Sequence, residues 1–288
     1  MNSPSAIIRL IRPKEWIKNI FVFVPLFFSK NLFDVPEFQA VLIGAVLFCL
    51  AASSIYVLND LKDAVTDRLH PTKKSRPIAR GDVSARVAVL LFVLLSVIGL
   101  LGALWLSRSF FAVLLIYYVI NIAYCFSLKN IAIIDIYCVA AGFILRMLAG
   151  AELIHVALSI WILICTGLLA LFLALAKRRD DFVQHLPVSH RGSNVGYNIH
   201  FIDTAIVIFL TALMIAYAIY TTQDEVVLRL GTTHFYWTIP VVLFGVLRYL
   251  QITLVEERSG SPTTLLLTDK FLLGAVLSWI VISALLIY

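Results

Sequence analysis

The sequence predicts an all-α, polytopic membrane protein with nine transmembrane helices. Hydrophobic residues make up 61% of the 288 residues and charged residues only 14%, and the mean hydropathy is +0.96. This composition excludes an ordinary soluble protein. The apolar residues are gathered into stretches of about 20, the length that an α-helix needs to cross a bilayer. Because no linker rich in Pro, Gly or Ser divides the chain, we expect one integral membrane domain over residues 1–288.

Nine stretches have the required length. They are residues 15–33, 38–60, 85–106, 109–127, 131–151, 157–177, 200–220, 235–254 and 269–288. The first is the least regular, because Lys18 and Pro25 interrupt it, and we expect it to enter at an angle or to break. The N-terminal segment lacks the order of a cleaved signal peptide, so this span is expected to stay in the mature chain.

The connecting segments predict the orientation of the chain. When Lys and Arg are counted in alternate loops, 19 of the 23 lie on the side of the N-terminus and three on the other, and Arg146 lies within a span. The positive-inside rule then puts the N-terminus in the cytoplasm and the C-terminus outside. We expect a multi-pass protein of the inner (cytoplasmic) membrane. The net charge of +6 reflects this sidedness, and no nucleic-acid partner is needed to explain it.

Three carboxylates follow the second span, in the first of two long cytoplasmic loops, at about 60–85 and 177–199. At about 100° per residue on a helix, Asp60 and Asp67 lie within about 20° of each other and Asp63 about 60° away. Basic residues follow them closely: Arg68, Lys73, Lys74, Arg76 and Arg80.

Acidic and basic side chains in one loop allow two interpretations. Carboxylates this close raise each other's pKa unless a cation lies among them, and oxygen ligands suit Mg²⁺ or Ca²⁺. The first interpretation is therefore a metal-bridged phosphate ester at the membrane surface. The alternative is that the acids only solubilise a helix end and the lysines only anchor it to anionic lipid. Three acids on one helical face beside Asn59 favour the first.

A second cluster ends the sixth span on the same predicted side. Lys177, Arg178 and Arg179 are followed by Asp180 and Asp181. Cationic side chains there would bind a pyrophosphate directly while a metal held it from the acid cluster. The alternative is a stop-transfer anchor, for which the two acids have no use. The loop continues to Tyr197, a further candidate for substrate binding.

Several other polar residues lie at or within the spans. Lys129 is the only basic residue of a short loop and is placed to reach a phosphate. Arg146 lies eleven residues after Asp135, close to three turns, so both point the same way. Arg146 could form a buried pair with Asp135 or Glu152, or contact a ligand.

The N-terminal segment adds Lys18 and Asn19, which lie deep for an interfacial belt and are candidates for substrate contact. The four cysteines show no spacing typical of a disulfide framework or a zinc site. The six histidines are scattered without ligand spacing. No glycine-rich phosphate loop or nucleophile elbow occurs.

The pattern Asn59-Asp60-x-x-Asp63-x-x-x-Asp67, followed by Arg76-Pro77, with nine predicted spans, resembles the UbiA family of membrane prenyltransferases. The stretches Arg12-Pro-Lys-x-Trp-Ile-Lys-Asn19 and Lys177-Arg178 are similar to the branch that uses a phosphoribosyl donor. These similarities cover about the first 180 residues. The aromatic prenyltransferases of the family carry a second DxxxD motif after span six. Here Gln184 and His185 follow the acids, which favours the sugar phosphate donor.

The resemblance and the charge layout together imply an activity. It is Mg²⁺-dependent transfer of 5-phosphoribosyl from phosphoribosyl pyrophosphate (PRPP) to a polyprenyl phosphate lipid, with release of pyrophosphate. Asp60, Asp63 and Asp67 would hold Mg²⁺ and carry the catalysis. Asn59 and Asp181 would assist, and further residues would bind the two substrates: Lys73, Arg76, Lys177 and Arg178 for the donor, and Lys18, Lys129 or Arg146 for the lipid phosphate.

Two rival functions remain open at this point. One is prenyl transfer from a prenyl diphosphate to an aromatic or quinone precursor, by an enzyme of the same fold. The other is a lipid transporter or scramblase, which would need polar residues on both faces of the membrane or through its midplane. The half of the predicted spans away from the cytoplasm holds almost none. The sequence leaves prenyl chain length and homo-oligomerisation open.

Overall fold

A computed structural model describes residues 3–69, 72–183, 195–257 and 262–288. Every regular element in these ranges is helical, which confirms the predicted fold class. The α-helices are α1 (Pro4–Ile11), α2 (Val24–Phe28), α3 (Val35–Arg68), α4 (Pro77–Arg80), α5 (Ala85–Leu106), α6 (Arg108–Phe126), α7 (Ile134–Leu153), α8 (Ile160–Val183), α9 (Ile199–Thr222), α10 (Asp224–Leu230), α11 (Ile239–Leu250), α12 (Pro262–Thr268) and α13 (Lys270–Ile287). Short 3₁₀ helices and one π-helix, Gln251–Val255, join them.

Eight helical segments of the described residues are long and apolar enough to cross a membrane. They are α3, α5, α6, α7, α8, α9, the run Phe235–Val255 and α13, and they match the predicted spans from the second onward to within a few residues, apart from longer ends of α3 and α8. The chain is therefore a multi-pass membrane protein. The first predicted span, at 15–33, is not among these segments, and the orientation of the N-terminus stays a prediction.

The first predicted span is broken into two short elements. Arg12 has a positive φ of 53°, after which Pro13–Phe23 forms a 3₁₀ helix and Val24–Phe28 one turn of α-helix. Side chains fix this segment against α3, since Trp16 Nε1 donates a hydrogen bond to Ser53 Oγ at 2.9 Å. The predicted irregularity is thus present, and tertiary contacts hold it.

Helix α3 is longer than a bilayer requires. It has 34 residues and so extends about 51 Å at 1.5 Å per residue, against about 30 Å for the hydrocarbon core. Asp34 caps its N-terminus by accepting a hydrogen bond from the Glu37 amide. The extra turns at the other end carry Asp60, Asp63 and Asp67 in continuous helix, as the sequence pattern predicts.

The chain divides into two compact units by internal contacts. The first comprises Met1–Phe27, Asn31–Lys129 and Leu145–Ala157, and its main core joins α3 with α5, α6 and the end of α7. The packing of this core is close: a Cβ on Gly150 would lie only 1.9 Å from the carbonyl oxygen of Val22. A smaller core joins α1 and α4 to the end of α3 and the start of α5.

The second unit comprises Phe28–Lys30, Asn130–Ile144 and Leu158–Tyr288. Its core is built on α8 and α9, with the start of α7, Tyr197 and residues of α11 and α13. An aromatic cluster of Phe28, Tyr220, Phe235 and Trp279 lies elsewhere in this unit. The expected single domain stays a prediction.

Candidate active site

The last turns of α3 place Asp60, Asp63 and Asp67 as the sequence pattern predicts. Asp60 is 1% exposed and Asp67 3% exposed, whereas Asp63 is partly buried. A buried carboxylate needs a cation or hydrogen-bond donors to compensate for lost hydration. Each of the three has such a partner in the first unit.

Arg76 joins two of the carboxylates. Its Nη1 lies 2.7 Å from Oδ2 of Asp67 and 3.1 Å from Oδ1 of Asp60. Arg76 stands immediately before Pro77, which starts α4, and its backbone is extended, as a residue before proline prefers. The residues that lead into α4 therefore place this guanidinium against the acidic face of α3.

Asp60 binds a second arginine, from the N-terminal segment. Arg12 donates from Nη2 to Asp60 Oδ1 at 2.5 Å, and its guanidinium carbon lies 5.2 Å from the ring centre of Tyr56. Arg12 is not among the site residues that the sequence predicts. The Arg12-Pro13 motif is the only feature of the sequence that could point to Arg12 as a site residue, because 48 residues separate it from Asp60.

Asp63 faces Lys129, the basic residue of the loop after α6. Lys129 Nζ lies 2.6 Å and 2.7 Å from the two carboxylate oxygens of Asp63 and 3.2 Å from Asn59 Oδ1. The structure therefore brings Asn59, Asp63 and Lys129 together. The lysine contacts the acid cluster, and its contact with a phosphate stays a prediction.

The three carboxylates and three cations leave this network close to neutral. Within the described residues, no group of three or more His, Cys, Asp or Glu side chains lies in a metal-binding arrangement. Each of the three carboxylates contacts a cation instead. The donor set still fits Mg²⁺, since carboxylate and amide oxygens are the ligands it takes. A metal–diphosphate complex would supply both a cation for the carboxylates and an anion for Arg12, Arg76 and Lys129.

Arg146 forms a second polar site in the first unit. It is 5% exposed, donates from Nε to Asn19 Oδ1 at 2.7 Å and from Nη2 to the Tyr117 hydroxyl at 3.1 Å. Its guanidinium also lies over the rings of Phe48 and Tyr117. Asn19 and Arg146, both predicted to contact substrate, thus contact each other. Lys18 instead pairs with Glu15.

Arg178 is buried within the second unit, in an ion pair with Asp135. The arginine Nε lies 2.9 Å from Asp135 Oδ2, and Asp135 is fully buried. Tyr197 completes the network: its hydroxyl donates to Asp135 Oδ1 at 2.7 Å and accepts from the Ile133 amide at 2.6 Å. Burial raises the pKa of Tyr197, and the hydrogen bond to Asp135 raises it further. The predicted site residues Arg178 and Tyr197 therefore share one carboxylate.

The other residues at the end of α8 have different environments. Lys177 is exposed. Arg179 is 4% exposed and pairs with Asp203 at 2.7 Å. The side chain of Asp181 and residues 184–194, including Gln184 and His185, lie outside the described part of the chain, as do His70 and Pro71. Sequence spacing gave no sign of the Asp135–Arg178 pair, whose members are 43 residues apart.

The apolar helices and the carboxylate site at the end of one of them define a class: an all-helical membrane protein whose site suits a metal-bound phosphate ester. The comparisons with known proteins are more specific. Residues 20–276 match the UbiA prenyltransferase family, and the chain therefore belongs to this family of membrane enzymes. The resemblance inferred from the Asn59-to-Asp67 motif is confirmed.

Curated relatives align over nearly the whole chain. A protein of Mycolicibacterium smegmatis named decaprenyl-phosphate phosphoribosyltransferase is 33% identical, with 97% of this chain and 91% of the relative covered. A protein of the same name from Corynebacterium glutamicum is 30% identical over 100% of this chain and 88% of the relative.

Solved structures share the fold. A UbiA homolog from Archaeoglobus fulgidus bound to GPP and Mg²⁺ has a TM-score of 0.73 at 20% identity, with 98% of this chain and 96% of that chain covered. A UbiA homolog from Aeropyrum pernix K1 has a TM-score of 0.67 at 15% identity, with 94% and 98% covered.

Proposed function

We propose that this enzyme transfers 5-phosphoribosyl from PRPP to a polyprenyl phosphate, with Mg²⁺ as cofactor. The proposal is supported by relatives named decaprenyl-phosphate phosphoribosyltransferase at 29–33% identity over 97–100% of the chain. In the reaction, a phosphate oxygen of the lipid forms a bond to the anomeric carbon while the bond from that carbon to pyrophosphate breaks. Pyrophosphate leaves with the electron pair. The acceptor phosphate is already anionic at neutral pH, so no strong general base is required.

The observation that carries the proposal is the buried network around Asp60. A carboxylate that is 1% exposed and shared by two arginines is costly to maintain if its only role is structural. Its oxygens, with those of Asp63 and Asp67, are the ligands we assign to Mg²⁺. When bound, the metal would neutralise charge that develops on the pyrophosphate leaving group.

The cations of the same network would then bind phosphate. Arg76 and Lys129 each contact the carboxylates, and a phosphate oxygen offers the same kind of acceptor with more negative charge. We assign Arg76, Lys73, Lys177 and Arg178 to the donor, with Asn59, Asp181 and Tyr197 assisting. The lipid phosphate is assigned to three further residues: Lys18, Lys129 and Arg146, with Asn19 orienting the last of these through its hydrogen bond.

The location of the reaction follows from the substrates. PRPP is highly charged and water-soluble, whereas a polyprenyl phosphate stays in the bilayer. We therefore propose that the site faces the cytoplasm from the inner membrane, in agreement with the excess of Lys and Arg on that predicted side.

A direct assay tests the donor. Purified protein in lipid nanodiscs is given Mg²⁺ and polyprenyl phosphate with labelled PRPP, or an aromatic acceptor with labelled prenyl diphosphate. With labelled PRPP, we expect label in the lipid fraction and one pyrophosphate released per transfer. With labelled prenyl diphosphate, we expect no labelled product. Product from the prenyl diphosphate alone would replace the proposal by aromatic prenyl transfer. Movement of lipid across proteoliposomes without pyrophosphate release would replace it by transport.

A substitution series tests the carboxylates. Asp60→Asn and Asp63→Asn should each lower turnover by about 100-fold or more, the usual effect of losing one preorganised electrostatic contact. Asp82→Asn is the matched control, because Asp82 is a surface acid that pairs with Arg9 and Arg80 outside the network. Full Mg²⁺-dependent turnover by the Asp60 and Asp63 variants would disprove the metal role.

A further inference from the structure

A groove runs between α11 and α13 in the second unit. It is an open groove of about 420 Å³, lined mainly by apolar residues: Pro240, Val241 and Phe244 from α11, and Phe271, Gly274 and Ala275 from α13. Its volume lies in the range of roughly 300–1,000 Å³ that is usual for sites that bind small molecules. The groove is therefore large enough for part of a ligand.

A glycine in the first half of α13, Gly274, lines the groove. A Cβ built on Gly274 would meet no atom within 4 Å, so the space beside this residue is open. Phe244 and Phe271 flank it and are 50% and 65% exposed. Because both walls belong to segments long and apolar enough to span the membrane, we expect the exposed rings to face the hydrocarbon of lipid.

One end of the groove is charged. Lys270, the first residue of α13, lines it and is exposed. Lys270 and Ser278, the last lining residue along α13, are separated by about 12 Å of helix. The groove thus combines an apolar wall with a cationic end.

The acidic groups near Lys270 are already bound by another cation. Arg248 bridges Asp269 Oδ2 at 2.5 Å and Glu256 Oε1 at 2.8 Å. Within the described ranges Lys270 forms no ion pair and no side-chain hydrogen bond. Its charge is therefore available to an anion in the headgroup region.

We propose that this groove binds one anionic phospholipid of the bilayer, with an acyl chain along Phe244, Phe271 and Gly274 and the headgroup phosphate near Lys270. Basic residues at grooves between transmembrane helices recognise anionic headgroups in this way. None of the residues that line the groove belongs to the carboxylate network of α3, and the proposal does not depend on the proposed reaction.

The test measures retained lipid. Protein purified from vesicles containing equal amounts of phosphatidylglycerol and phosphatidylcholine is analysed by native mass spectrometry. We expect retained phosphatidylglycerol on the wild-type protein. Gly274→Phe, which fills the groove, should lower retention about tenfold, and Lys270→Gln should lower the preference for phosphatidylglycerol about fivefold.

Two controls separate binding from misfolding. Gly274→Ala adds one methyl group into open space and should retain lipid as the wild type does. Lys14→Gln removes an exposed lysine of the first unit and should leave the lipid preference unchanged. Equal retention by Gly274→Phe and Gly274→Ala, or no preference for phosphatidylglycerol in the wild type, would overturn the proposal. A change from oligomer to monomer in Gly274→Phe without lipid loss would show that a second copy fills the groove.

Discussion

Arg12 donates a hydrogen bond to Asp60 at 2.5 Å across 48 residues of sequence. The arginine backbone has a φ of 53°, a conformation that costs about 1–3 kcal/mol for a residue other than glycine. The ion pair and the contact with Tyr56 compensate for this cost. The N-terminal segment is thereby tied to the acid cluster of α3.

The first prediction concerns this pair. Arg12→Ala should lower the free energy of unfolding by about 2 kcal/mol, because Asp60 is buried and would keep, among the described residues, Arg76 as its one ionic partner. In the Arg12→Ala/Asp60→Asn double variant the loss should be smaller than the sum of the single losses. Unfolding in mixed detergent micelles measures all three, with Asp82→Asn as control. Strict additivity would show that the two residues do not interact.

Lys129 provides the second prediction, on metal binding. Its ammonium contacts both oxygens of Asp63, so it competes with a divalent ion for that carboxylate. Lys129→Met should therefore bind Mn²⁺ roughly fivefold more tightly in the absence of substrate, while transfer falls because a phosphate contact is lost. Electron paramagnetic resonance of free Mn²⁺ measures the binding. Lys74→Met is the matched control; weaker Mn²⁺ binding by the Lys129 variant would contradict the competition.

The third prediction concerns the Tyr197 hydroxyl. Tyr197→Phe leaves the buried network without the group that joins Asp135 to the Ile133 amide. We expect a loss of about 1–3 kcal/mol in the free energy of unfolding. A larger loss, about 3–5 kcal/mol, is expected for Asp135→Ala, which leaves Arg178 buried without its carboxylate. A Tyr197→Phe protein as stable as the wild type would contradict the assigned network.

Tyr197 also predicts a pH dependence. Burial and the hydrogen bond to Asp135 raise the pKa of Tyr197 in the folded protein. Its contribution to the free energy of unfolding is therefore fully present below the unfolded tyrosine pKa of about 10. That contribution is lost as pH rises toward the folded pKa. The stability difference between wild type and Tyr197→Phe should thus shrink between about pH 10 and 12. A difference that grows over this interval would contradict the sign.

Gly150 gives a fifth prediction, on packing. A Cβ at this position would lie 1.9 Å from a backbone oxygen of Val22, and a backbone atom cannot turn aside as a side chain can. Gly150→Ala should lower the thermal unfolding temperature, with a cost of about 1–3 kcal/mol. Gly274→Ala, in open space, should leave it unchanged or raise it slightly, because alanine favours helix. The reverse order would contradict the packing.

Much of the fold could be predicted because burial in lipid is a local property of the sequence. The ends of α5 at Ala85 and Leu106 coincide with the predicted span, since about 20 consecutive apolar residues suffice to make a spanning helix favourable. The first predicted span, residues 15–33, is also largely apolar, yet its helix is interrupted at Phe23, where a 3₁₀ helix ends. Contacts of Trp16 and Asn19 with α3 decide its shape, and no local pattern reports such contacts.

The sequence by itself determined the helical membrane fold and the acidic face of α3, because hydropathy and the 3.6-residue period act over one segment. Only the tertiary structure decided the partners: Arg12 for Asp60, Lys129 for Asp63, and both Arg178 and Tyr197 for Asp135. A charged side chain pairs with the oppositely charged or polar group that the fold brings within a few ångströms of it. The number of residues between two such groups in the sequence does not predict which of them will meet.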